Sequence, residues 1–336
     1  MEADPEKFFA RAYDVFRSAP DGRGEVYRIR GLFLRIETTP ALKDAGLTRA
    51  FAHLHSATSV EPQFTICAWD SSEGRMIAPA WTEADYGKRG AITGFNNARF
   101  RTAFDHASSA LSMVDLEERL ALFWTTCANQ LPLHQIGAPF RNIIASIAER
   151  EGLVLVHCGA VRNEHGAALF AGAGGSGKST TALLCAAEGW RYLADDYCIV
   201  DPGDAPRVYS LYNSAKLTLR SAAQFGLAEM VSARHADDGK KELFFMPEGR
   251  LADSADVRVL LLPRVTSQPV SSIETATPAE ALRALAPSSM FQLAGAGTIA
   301  FQRLGAFVRK LPVRRLNLGR DFARIPQLIE ECITRL

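Results

Sequence analysis

Nine residues, Gly172-Ala-Gly-Gly-Ser-Gly-Lys-Ser-Thr180, carry the most specific chemistry in this sequence. They meet the phosphate-binding pattern G-x-x-x-x-G-K-S/T at every fixed position: Gly172, Gly177, Lys178 and Ser179. The pattern has a physical basis. Gly172, Gly174, Gly175 and Gly177, with Ser176 between them, let the backbone turn its N–H groups inward around a polyphosphate. A helix starting near Lys178 points its positive end at the same anion. Lys178 can reach the β- and γ-phosphates, the Ser179 hydroxyl can hold Mg²⁺, and Thr180 follows as the next helix residue.

Two further features lie close by. Asp195-Asp196 stands 17 residues after Lys178, at the end of the apolar run Trp190–Ala194. Paired carboxylates there suit two tasks, one holding Mg²⁺ and the other accepting a hydroxyl proton. Neighbouring residues on a strand face opposite ways, so both can serve one site only if the strand ends or bulges there. The plainer alternative is an exposed turn at a strand end. His157 lies 15 residues before Gly172 in Leu-Val-Leu-Val-His-Cys-Gly-Ala-Val. If its strand pairs with the one feeding the loop, His157 reaches the phosphate region; otherwise it is a core histidine.

These residues need elements to position them. Ala167–Ala171 reads as a buried strand entering the loop, and Thr180–Glu188 as a helix stopped by Gly189. Leu153–Val161 reads as one strand returning through an Asn163–Gly166 turn, which implies antiparallel pairing. Arg191–Val200, Val208–Leu211 and Val257–Leu262 are further strands. Thr277 and Glu280 form a capping box, and Pro326 opens a last helix. Upstream, Asp4-Pro5 starts a helix with Phe8, Phe9, Ala12, Val15 and Phe16 on one face. Strand pieces flank Gly31, another spans Gln63–Trp69, and Leu47–Leu54 reads as a helix between them. Asp115 and Glu118 have capping-box spacing, and Leu116, Leu120, Phe123, Trp124, Cys127 and Leu131 repeat at helical spacing, which predicts a helix ending at Pro132. Phe140, Ile143, Ile144 and Ile147 mark another, closing near Gly152.

The chain has 336 residues, enough for two ordinary domains, and is 47% hydrophobic. Its 38 basic and 37 acidic residues leave a net charge of +1 without clustering, so no nucleic-acid-binding surface is expected. No apolar run approaches the ~18 residues that would span a bilayer, and the acidic N-terminus has no signal core. A cytoplasmic protein without membrane contact is expected. Its six cysteines, with no C-x-x-C pair, are expected to be reduced.

In order and spacing, His157, the loop Gly172–Ser179 and the triplet Ala194-Asp195-Asp196 resemble the HPr kinase/phosphorylase family. The sequence also resembles the HPr-kinase-like proteins found beside peptide-tailoring enzymes, lasso-peptide kinases among them. The likeness spans about residues 150–336, with its sharp motifs within 157–200. It implies ATP and Mg²⁺ as cofactors, and a homo-oligomer. By resemblance Asp195 is the base toward the accepting hydroxyl, Asp196 the metal-side aspartate, Ser179 the loop hydroxyl on Mg²⁺ and Lys178 the phosphate lysine. His157 is the histidine supporting the base. The family signature Leu-Glu-Ile-Arg-Gly-Leu-Gly is missing, and Tyr209-Ser-Leu-Tyr-Asn-Ser-Ala-Lys216 stands in its place. That removes the basis for expecting HPr as substrate or a reverse, phosphorylase reaction.

The expected architecture is α/β. A C-terminal HPr-kinase-like P-loop domain with a mixed sheet flanked by helices occupies 111–336, and a smaller N-terminal α/β domain, accessory or substrate-recognising, occupies 1–110. The leading functional reading is a kinase that moves the γ-phosphoryl of ATP to a hydroxyl, that of serine or threonine in a peptide or protein. A small-molecule kinase acting on free serine or a sugar, and a non-catalytic nucleotide-gated module, are the alternatives. Lys216, Lys240, Lys241, Arg314, Arg315 and Arg320 are further cations with a possible place near nucleotide, each equally readable as surface charge.

Overall fold

The N-terminal helix forms as its sequence dictates. Asp4 caps α1 (Pro5–Arg17) by accepting from the Lys7 backbone N–H at 3.0 Å, and Pro5 occupies the first turn. Phe8, Phe9 and Ala12 are buried against Trp69, Met113, Leu122 and Trp124. This helix belongs to the first of two units in the computed structural model, which describes residues 4–20, 24–58, 60–72, 76–224, 242–290, 293–294 and 297–336. The first unit comprises Met1–Glu151 with Gln292–Ala296, and the second Gly152–Phe291 with Gly297–Leu336.

In the first unit, β1 (Glu25–Ile29) and β2 (Leu32–Thr38) form a hairpin around Gly31, followed by α2 (Pro40–Asp44). Residues Arg49–Leu54 form a short 3₁₀ helix within the 47–54 segment that reads as helical. Then come β3 (Phe64–Asp70), β4 (Phe100–Asp105), β5 (Ala110–Asp115), β6 (Leu120–Thr125), α3 (Leu133–Gly137) and α4 (Arg141–Arg150). The six strands form one mixed sheet in the order β1-β2-β3-β6-β5-β4, with β3 parallel to both its neighbours.

The helix predicted over 115–131 is instead the β5–β6 hairpin. Asp115 caps a turn, accepting from the Glu117 and Glu118 amides, and Arg119 adopts φ +55° there. Both faces of β6 are buried beyond Leu120, so its apolar residues run without alternation and mimic a helical stripe. Because these strands complete the first sheet, the units divide after Glu151 and not after residue 110.

The second unit begins with β7 (Val154–Val156), β8 (Gly159–Asn163) and β9 (Gly166–Phe170), then α5 (Lys178–Ala187), β10 (Arg191–Ala194), β11 (Cys198–Asp201) and β12 (Arg207–Tyr209). β13 (Ser214–Leu217), α6 (Leu219–Gln224), β14 (Glu242–Phe245), β15 (Ser254–Val265) and β16 (Ser272–Thr275) follow. It closes with α7 (Pro278–Ser289), α8 (Thr298–Arg309), β17 (Val313–Leu318) and α9 (Ile325–Thr334). The long β15 joins two ladders. Ser254–Asp256 pair antiparallel with β12, while later residues pair parallel with β9 and β17. The architecture is mixed α/β, with sheets flanked by helices. Lys240 and Lys241 lie outside the described residues. No helix among the described residues is long and apolar enough to cross a membrane.

Two predicted strands are each broken in the middle, and the breaks matter. The run 153–161 divides at His157-Cys158: β7 pairs with β11, while β8 pairs with β9 and β10. The run 191–200 divides at Asp195–Tyr197 between β10 and β11. Each chain segment passes from one ladder to another at that point, and the two interruptions lie together. The Cys158 and Cys198 sulfurs are 3.4 Å apart, and the His157 and Tyr197 rings are 4.9 Å apart.

Candidate active site

The topology brings the separate motifs to one edge. β8 runs between β9 and β10, antiparallel to both, so β9 and β10 run parallel and α5 is the crossover between them. The phosphate loop leaves the C-terminal end of β9, and Asp195-Asp196 leaves that of β10. His157 precedes the N-terminal end of β8, and Gly159 pairs with Phe170 while Ala160 pairs with Ala194. Three stretches distant in sequence therefore meet outside the carboxyl ends of parallel strands, where α/β proteins bind ligands. β15 and β17 end at the same edge, with Val265 opposite Leu318.

The loop has the backbone its glycines predict. Gly175 has φ +81° and Gly177 φ +104°, conformations that tolerate a side chain poorly. A Cβ on Gly177 would also stand 2.3 Å from Leu318 Cδ1, so this glycine is required by packing as well. At Gly172 a Cβ would stand 2.6 Å from Ser176 Oγ. Helix α5 starts at Lys178 without a side-chain cap. Lys178 is largely buried and its Nζ donates to the loop carbonyls of Gly172 at 2.7 Å and Ala173 at 3.2 Å. The lysine thus lies folded over the loop, on acceptors that an anion would replace.

A bulge between Tyr192 and Ala194 ends β10, and the two aspartates follow in irregular backbone. That irregularity frees both carboxylates from the alternation of a regular strand. Asp195 is 1% exposed; its Oδ2 accepts from the Lys216 backbone N–H at 3.2 Å, and its Oδ1 has no hydrogen-bond partner among the described residues. Burial raises the Asp195 carboxyl to about 6, the adjacent Asp196 adds to the rise, and Ser179 and Lys216 oppose it. Asp196 moves the other way. Burial would raise its carboxyl, but Lys216 and His157 hold it well below the usual carboxylate range. Lys216 Nζ donates to Asp196 Oδ2 at 2.8 Å, and His157 Nε2 lies 3.6 Å from Asp196 Oδ1. The two adjacent carboxylates are thus shifted in opposite directions, Asp195 toward holding a proton and Asp196 toward the anion.

The residues singled out from the sequence are brought together with one change of partner. His157 contacts Asp196, whereas the resemblance implied support of the base, Asp195. Its backbone N–H donates to Ser289 Oγ at 2.9 Å and its ring lies against Tyr197, so two residues without a sequence signature set its position. Lys216, undistinguished among the further cations of the sequence, takes a central place. It lies on β13, whose Ser214 accepts at its carbonyl from Tyr192 Oη at 2.7 Å, fixing the strand beside β10. Only the tertiary pairing distinguishes Lys216 from a surface lysine. Arg315 is engaged elsewhere, by Glu280 and Glu274.

The site fits a metal–nucleotide pair. Among the described residues Asp195 Oδ1 and Ser176 Oγ are buried acceptors left without partners, and the Ser179 hydroxyl stands at the head of α5 against Asp195. Oxygen ligands on carboxylate and hydroxyl suit Mg²⁺, and an uncapped helix start behind a glycine loop suits phosphate.

No family model matches the sequence, and no curated protein does. Among solved structures the chain is similar to the Hpr(Ser) kinase/phosphatase from Coxiella burnetii, at 11% identity and a TM-score of 0.28, over 54% of this chain and 94% of that one.

Proposed function

We propose that the second unit is a phosphotransferase that uses ATP and Mg²⁺ to phosphorylate a hydroxyl, that of a serine or threonine in a peptide or protein. The observation that carries this reading is the meeting of a complete phosphate loop with a buried Asp195 and a half-buried Asp196, electrostatically split, at one sheet edge. A bare nucleotide-binding module has no need to hold two adjacent carboxylates in opposite states.

Lys178 exchanges the carbonyls of Gly172 and Ala173 for the β- and γ-phosphates and offsets the charge that develops during transfer. Ser179 and Asp196 would hold Mg²⁺, which would supply neutralisation of phosphate charge. Asp195 accepts the proton of the attacking hydroxyl as the new O–P bond forms and ADP departs. Lys216 and His157 fix the Asp196 carboxylate.

The test is ADP formation by the full-length protein with ATP, Mg²⁺ and serine- or threonine-containing peptides. The expected result is peptide-stimulated ADP release that Lys178→Ala abolishes. Nucleotide binding with no turnover on any peptide would overturn the kinase reading in favour of a regulatory module.

A further inference from the structure

Glu242 is a buried acidic residue that the phosphotransfer reading does not use. It opens β14 and is 9% exposed. Its Oε2 is enclosed and has no hydrogen-bond partner among the described residues, and none of them forms an ion pair with it. A glutamate is seldom so buried without a cation or a set of donors beside it, because taking a carboxylate out of water is costly. Which cation suits it follows from where it lies.

Strand register places Glu242 at the catalytic edge. β13 runs beside the end of β10 in the same direction, with Tyr192 Oη donating to the Ser214 carbonyl and the Lys216 N–H donating to Asp195 Oδ2. Leu217, the next residue, therefore stands at the edge where the aspartates leave β10, and it pairs directly with Glu242 of β14. Directly paired residues of an antiparallel ladder share one face, and so do residues two apart on one strand. Leu217, Ala215 and Phe244 mark that face, for they share a buried cluster with Leu183 and Ala186 of α5. Glu242 thus belongs to the face of the β13–β14 ribbon that α5 covers, at the end where that helix starts with Lys178 and Ser179.

The charges of this edge do not balance from the protein alone. Asp195, Asp196 and Glu242 bring three carboxyl groups to it. Lys216 Nζ is given to Asp196 at 2.8 Å, and Lys178 Nζ to the carbonyls of Gly172 and Ala173. His157 also faces Asp196. Each of these cations is engaged with a group other than Glu242. A hard divalent cation takes carboxylate and hydroxyl oxygens as ligands, and its double charge offsets more than one carboxylate.

Resting on the phosphotransfer reading, we infer that Glu242 is a further carboxylate for the divalent cation of this site, acting with Ser179 and Asp196. Without the cation, the same carboxylate opposes the phosphates of a nucleotide at the loop. Glu242 therefore makes nucleotide binding depend on Mg²⁺, from a strand that carries no sequence motif.

The test measures the affinity of the full-length protein for a fluorescent N-methylanthraniloyl derivative of ATP, with Mg²⁺ and with EDTA, in the parent and in Glu242→Gln. In EDTA the variant should bind at least as tightly as the parent, because a repelling charge is gone. With Mg²⁺ the parent should gain affinity, and the gain in the variant should be smaller by about tenfold or more. This crossing of the two proteins is a result that a merely structural glutamate cannot give. Glu242→Asp, which keeps the charge and shortens its reach, should lose part of the gain, and it decides the question if Glu242→Gln does not fold. An equal gain in parent and variants, or a loss of affinity that is the same with Mg²⁺ and with EDTA, would overturn the inference. Either outcome leaves the phosphotransfer reading standing, since that rests on Lys178 and Asp195. A parent protein whose nucleotide affinity ignores Mg²⁺ would overturn both.

Discussion

The Lys216 ammonium donates to the Asp196 carboxylate at 2.8 Å, across twenty residues of sequence. The same residue's backbone N–H donates to Asp195 at 3.2 Å. One lysine on β13 therefore ties down both aspartates, and it does so unequally. The ammonium bonds Asp196 directly, whereas the hydrogen bond to Asp195 comes from the backbone and the ammonium charge opposes the Asp195 rise only weakly. Burial, with the Asp196 charge added, raises the Asp195 carboxyl, while Lys216 and His157 hold Asp196 low, and the two neighbouring carboxylates separate in opposite directions.

Lys216→Met should remove the cation that keeps Asp196 ionised. The pair is half-buried, so breaking it from one side leaves a partly desolvated charge, and the expected loss is about 1–2 kcal/mol of unfolding free energy. Lys216→Met combined with Asp196→Asn should recover part of that loss. Chemical denaturation of the two variants measures the difference, and equal stability would show that the ion pair is not what holds the site.

Asp195→Asn should leave nucleotide affinity within about threefold and slow transfer by about 10²–10⁴-fold, the range for loss of a general base. In the parent protein the rate should fall below pH 6, where the Asp195 carboxyl takes up its proton. A pH–rate profile for the parent, with single-turnover rates for the variant, tests both statements.

The same carboxyl makes a stability prediction with a definite sign. Its folded-state pKa is raised, so the folded protein binds that proton more tightly than the unfolded chain. Its contribution is fully present below the unfolded pKa, near 3.8, and is lost as pH rises through about 6. Asp196, with a lowered pKa, contributes in the opposite sense, above the unfolded value. Comparing the parent with Asp195→Asn removes the shared part. Between pH 4 and pH 7 the variant should gain stability relative to the parent, as read from urea midpoints.

Two glycines of the first unit separate backbone strain from collision. Gly46 has φ +77° and open space within 4 Å of where a Cβ would stand, so Gly46→Ala should cost only about 1–2 kcal/mol. Gly90 has φ +75° and would drive a Cβ to 1.7 Å from a backbone oxygen, so Gly90→Ala should cost more than about 4 kcal/mol or prevent folding of the unit. Thermal unfolding of the pair checks the contrast.

The parts of the site that were legible in the sequence are those set by local chemistry. The loop from Gly172 to Ser179 must be glycine-rich to turn, and a capping box at Thr277 or a Pro5 helix start needs only its neighbours. The β8–β9 hairpin was readable from the turn at Asn163–Gly166. What sequence could not supply is set by tertiary packing. Residues 116–131 carry apolar side chains at helical intervals, yet they form β6 and its exit because both strand faces are covered. The runs around His157 and Asp195 looked like single strands, because their breaks arise from pairing with different neighbours and not from any local stop signal. Lys216 carries no motif, and its role emerges only when β13 is laid beside the end of β10.

The central claim is tested most directly by intact-mass analysis of serine- and threonine-containing peptides after incubation with the full-length protein, ATP and Mg²⁺, with Lys178→Ala and Asp195→Asn run in parallel. The account predicts a mass gain of about 80 Da on a hydroxyl-bearing peptide, the mass of one phosphoryl group, absent with Lys178→Ala and strongly reduced with Asp195→Asn. Transfer at the parent rate by Asp195→Asn, or a mass gain that persists without Lys178, would contradict it.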